Sequence, residues 1–65
     1  MLDNNDREYL MVILNKMENN LIEARNRLFR YENEGMIKPL ACSMVLEKVS
    51  GTLGYLEALK DEIKR

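Results

Sequence analysis

YENEGMIKPL, Tyr31 to Leu40, is the stretch that decides how this chain folds. Gly35 supplies the left-handed residue that commonly closes a helix, and Pro39 suits the first turn of the next one, where its missing N–H costs nothing. Only Gly35 to Lys38 separate the two signals, a length typical of a tight connection between antiparallel helices. Whatever lies upstream therefore folds back on whatever lies downstream.

Upstream, apolar residues fall at Leu10, Leu14, Met17, Leu21, Ala24, Leu28 and Tyr31, in alternating steps of four and three. That heptad stripe marks one face of a helix. Asn5 followed by Glu8 has the form of a capping box, and Asp6 adds negative charge where the helix dipole favours it, so the helix is predicted over about 6–34. Downstream, Cys42, Val45, Val49, Thr52, Leu56, Leu59 and Ile63 form a second stripe, thickened on one flank by Leu46 and Leu53. It predicts a helix over about 39–64. Gly51 and Gly54 each cost about 1 kcal/mol against alanine and raise the alternative of three helices with a break between them. The stripe crosses both glycines in phase, which favours one continuous helix. The expected fold is an all-α antiparallel hairpin forming a single domain over residues 1–65.

A 65-residue chain buries a small fraction of its surface unless disulfides, a metal or a second subunit help. One cysteine allows no internal bridge, and with no histidine to join it no zinc site is expected. Ten basic and eleven acidic residues give a net charge of −1, which supplies no global attraction for nucleic acid or an anionic membrane. The start MLDNNDREYLMVIL places acids before its apolar run and does not read as a signal peptide, and that run is too short to span a bilayer. A cytoplasmic protein without membrane contact is expected.

Projected at about 100° per residue, the apolar arc of the first helix spans roughly 160°, because Ile22 and Phe29 widen it beyond the seam needed for one neighbour. Two hairpins packed into a four-helix bundle would cover such an arc. A homodimer is expected, with Leu14, Leu21, Ile22, Leu28 and Phe29 at its interface. A marginal monomer that leaves Ile22 and Phe29 partly exposed is the competing reading.

Catalytic constellations are nearly absent. No imidazole is available to activate Ser43, Ser50 or Cys42, and Cys42 sits on the apolar stripe, where a thiol is ordinarily inert packing. Neighbouring acids such as Asp61 and Glu62 do not share a helix face. No enzyme, metal, cofactor or small-molecule substrate is expected.

Two surfaces invite a binding role. Lys16, Arg25, Arg27 and Arg30, doubled by dimer symmetry, would make a basic face for the phosphates of a structured RNA, although Glu23 and Glu34 stand four residues from Arg27 and Arg30. In architecture the chain resembles the Rop-type regulators, small plasmid-encoded dimers of helical hairpins, and that resemblance implies RNA binding across one bundle face. On the second helix, Met44, Gly51 and Ala58 recur every seven residues away from the stripe, beside Gly54 and Tyr55. This smooth, weakly charged strip suits a docking protein. The favoured expectation is a small non-enzymatic regulatory dimer that binds or inhibits a cellular protein. RNA binding and a purely structural multimerisation cassette are the alternatives.

Overall fold

The computed structural model describes residues 2–65 and contains two helices, α1 (Asn4–Asn33) and α2 (Pro39–Lys64), packed as a hairpin. No strand occurs among the described residues. The Cα envelope measures 48 × 15 × 11 Å, and the radius of gyration of 15.0 Å exceeds the roughly 11 Å of a compact domain of this length. The molecule is a thin rod.

Asp3 caps α1, two residues before the expected Asn5. Its backbone is extended (φ −85°, ψ 179°), and its carboxylate accepts the Asp6 N–H at 2.8 Å. A charged acceptor fits this position better than an amide, because it also faces the positive end of the helix dipole. At the far end, Gly35 has φ +75°. Its N–H donates to the Glu32 carbonyl and the Met36 N–H to the Tyr31 carbonyl, which together form a Schellman closure. Lys38 is extended, and Pro39 opens α2 without a side-chain cap. That helix runs unbroken through Gly51 and Gly54, so the three-helix alternative is not the structure.

Leu14, Leu56 and Ile63 form the buried core, with Leu10, Met11, Leu21 and Leu53 packed against it. Leu14 packs beside Leu56, and fourteen residues further along α1 the Leu28 carbonyl meets the Cys42 thiol at 3.5 Å, so the two rods stay level along the hairpin.

The seam is turned away from the expected stripes. On α2 the buried line is Cys42, Leu46, Val49, Leu56, Lys60 and Ile63, with Leu53 half-buried between them. Val45 and Leu59, placed by the spacing on the inner line, remain 49% and 47% exposed, and Thr52 is exposed too. On α1, Met17 is 46% exposed and Ala24 is exposed, whereas Glu18 and Arg25 are partly covered. The expected stripes are apolar, but their centre lines do not point at the neighbouring helix.

Candidate functional site

Lys60 is the one charged residue buried among those described, at 8% exposure. It follows Leu53 by seven residues and Leu46 by fourteen, so α2 carries its ammonium into the seam at a position held by leucine one and two heptads earlier. There Nζ donates to Glu18 Oε2 at 2.8 Å and to Asn15 Oδ1 at 3.4 Å, and pairs with Glu57 Oε1 at 3.4 Å. Three acceptors match the three protons of an ammonium. The bond to Glu18 raises the Lys60 pKa, and the same bond from Lys60 lowers that of Glu18, so both remain charged near neutrality. A lysine held this firmly in its protonated form is not a nucleophile.

Cys42 is 2% exposed. Burial, then the neighbouring Glu32 carboxylate, pushes its thiol pKa up, which disfavours the reactive thiolate. Among the described residues no group of three or more histidines, cysteines or acids could hold a metal ion. No helix among them is long and apolar enough to cross a membrane.

The arginine-bearing stretch is largely self-neutralised. Arg27 Nε pairs with Glu23 at 3.1 Å and Arg30 Nε with Glu34 at 3.2 Å, all on solvent-exposed side chains. Arg25 is half-buried and Lys16 exposed, and these two point to different sides of α1. The four cations expected to grip RNA are therefore not gathered on one face.

The five residues expected at a dimer interface are also divided. Leu14 is already buried inside the hairpin. Leu21 and Leu28 are half-buried beside the seam, toward the side of Met17 and Ala24. Ile22 is half-buried and Phe29 is 49% exposed, and both fall on the other flank of α1, in line with Met11 and Asn15. The sequence projection treated the arc as one surface; the hairpin seam cuts it in two.

One side of the seam is apolar on both helices. A shallow groove there is lined by Leu21 from α1 with Val45, Val49 and Thr52 from α2, and by Met44, Glu47 and Lys48. Nearer the chain ends a second groove on the same side is lined by Leu10, Leu59 and Ile63, with Leu2, Arg7 and Glu62. Met17 and Ala24 continue the α1 border between and beyond them. Opposite, the α2 flank carries Ser43, Ser50, Glu57 and Asp61, all exposed, and near the chain ends a third groove is lined by Met11, Val12 and Ile63, with Arg7, Glu8 and Lys64.

The strip expected to receive a protein is exposed throughout: Tyr55 at 79%, Met44 at 64%, and Gly51, Gly54 and Ala58 beside them. A Cβ at Gly51 or Gly54 would meet nothing within 4 Å. Met44 and Tyr55 border the apolar face, while Gly54 and Ala58 turn further outward. The lysine cluster escaped the sequence reading, although its signal was present: continuing Leu46 and Leu53 by one more heptad reaches Lys60. Comparison with known proteins gives no matching family model, no similar curated protein and no similar solved structure.

Proposed function

We propose that this chain is a non-enzymatic binding module whose working unit is a homodimer, two hairpins laid face to face as a four-helix bundle, with the outer strip of α2 left free to occupy a protein target. The carrying observation is that both helices open their apolar flanks on the same side of the seam, through Leu10, Met17 and Leu21 on α1 and Val45, Thr52 and Leu59 on α2. At about 100° per residue, the centre of each heptad stripe lies roughly 40–55° from the direction of the neighbouring helix. In a square array of four helices the bundle axis lies about 45° from the edge joining two neighbours, so these stripes aim at the centre of such an array.

The exposed area supports the same reading. The hairpin exposes 5310 Å², whereas a compact monomer of its 7.7 kDa exposes about 4,300 Å². The excess, roughly 1,000 Å², is comparable to the ~800 Å² that each partner buries in a stable complex.

Light scattering across a concentration series tests the dimer. The expected mass is twice 7.7 kDa at micromolar chain, and a single-chain mass at the highest concentrations would remove the proposal. For the protein target, Ala58→Lys adds a charge to the outer strip away from the apolar face. Loss of specific capture by that variant, with the dimer intact, supports docking on the strip; equal capture by parent and variant counts against it.

A further inference from the structure

We infer that the polar cluster in the seam decides which neighbour α2 accepts there: it admits α1 of its own chain and excludes α2 of another copy. This concerns the inner seam and stands apart from the open face assigned above to the dimer.

The seam line of α2, from Cys42 to Ile63, advances in steps of four and three throughout and is apolar at every position but Lys60. Such a line is what two identical helices use to pair as a coiled coil. The line that α1 sets against it is less apolar, because Arg7, Glu18, Arg25 and Glu32, all partly covered, stand among its leucines. By apolar match alone, α2 of another copy would be the better neighbour. The short connection from Gly35 to Lys38 keeps α1 close, but that advantage shrinks as chain concentration rises.

The acceptors around the Lys60 ammonium reverse the preference. Glu18 at 2.8 Å and Asn15 at 3.4 Å belong to α1, and only Glu57 lies on α2 and would travel with it. The facing line of a second α2 holds no carboxylate and no amide. Run in the same direction, two such helices would set Lys60 beside Lys60 of the copy. Run in opposite directions and centred on Leu53, they would set Lys60 against Leu46 of the copy. In both cases the facing line supplies no acceptor where α1 supplies two, and Glu57 alone remains, with a side chain 65% exposed. One lysine at an inner heptad position thus separates two pairings that leucine packing would leave close in energy. It does so without having to make the hairpin itself more stable.

The test uses Leu53→Cys with Cys42→Ala under mild oxidation. Leu53 is half-buried on the side of α2 away from the open face, so neither the hairpin nor the face-to-face dimer brings it near its counterpart, whereas both pairings of α2 with α2 do. This chain is expected to stay unlinked, and adding Glu18→Leu and Lys60→Leu is expected to link a major share of it. A link in both backgrounds, or in neither, overturns the inference. A second reading needs no introduced cysteine. Methyl NMR of the parent should give one set of signals with Leu14 in contact with Leu56, and Glu18→Leu with Lys60→Leu should add a second set that lacks this contact. A single set that keeps the contact in the variant overturns the inference.

Discussion

Leu59 and Phe29 are nearly equally exposed, at 47% and 49%, yet they stand on opposite sides of the seam. Replacing each by alanine therefore separates position from hydrophobicity. Full burial of such a side chain contributes about 1.5–3 kcal/mol, so covering the exposed half of Leu59 contributes roughly 0.7–1.4 kcal/mol per copy. Two-fold symmetry doubles this, and at 1.4 kcal/mol per tenfold change Leu59→Ala should raise the dimer dissociation constant by about 10- to 100-fold. Phe29→Ala should leave it within a factor of about two, since it removes nothing from the apolar face. Sedimentation equilibrium on both variants, with circular dichroism to confirm equal helix content, reads the difference. Weakening by Phe29→Ala with Leu59→Ala unchanged would mean that the second hairpin lies across the other flank, and equal weakening that position does not decide; either result would defeat the argument from the open face.

Within the hairpin, Leu56→Ala should destabilise by about 2–5 kcal/mol, comparable to the roughly 3–10 kcal/mol available to a chain of this length, so its urea transition should begin near zero denaturant. The glycines should respond with opposite signs in the same assay. Gly54→Ala should stabilise by about 0.5–1 kcal/mol, because the helix gains a better former and the methyl meets nothing, while Gly35→Ala should cost about 1–2 kcal/mol at its φ of +75°. Glu18 has a folded pKa below its ordinary 4.5 because Lys60 donates to it. Its contribution is therefore complete above that ordinary value and is lost as pH falls through the lowered one. Lys60 mirrors this, contributing fully below 10.5 and losing its contribution as pH rises through its raised value. The gap in urea midpoint between parent and Glu18→Gln should thus be constant from pH 6 to 8 and shrink below about pH 4.5; a gap that persists at pH 2 would refute the pairing. Replacing Glu18 and Lys60 together by leucine should melt at or above the parent temperature, whereas Lys60→Leu alone, which strands the carboxylate, should melt below it.

The hairpin was legible because its signals are local: Gly35 with Pro39 fixes the reversal, and the two stripes fix the helices to within two residues at their ends. Periodicity also carried the second helix correctly through Gly51 and Gly54. What it could not show was how each stripe divides between the neighbouring helix and open solvent. A heptad pattern records the summed demand for burial from every neighbour, and Val45, Thr52 and Leu59 satisfy it as well as Leu46 and Leu53 do. The pattern likewise could not show that the seam separates Ile22 and Phe29 from Leu21. Apolar periodicity passes over Lys60, and only the meeting of α1 and α2 brings Glu18 and Asn15 to it. The N-cap was misplaced because Asp3, Asn4 and Asn5 are all competent cappers, and the choice among them is made by backbone geometry.

The buried lysine also has a consequence for alignment. Sliding α2 by one heptad along α1 would keep most leucines on leucines and change hydrophobic burial little, so greasy contacts alone define the level of the two rods poorly. The same slide would bring the Lys60 ammonium against the Arg25 guanidinium in one direction and the Met11 thioether in the other, since each stands seven residues from Glu18. Either slide would break the 2.8 Å bond to Glu18, while Glu57 would travel with Lys60 on α2. The contact across the seam thus adds a preference for the native alignment that leucine packing alone does not supply.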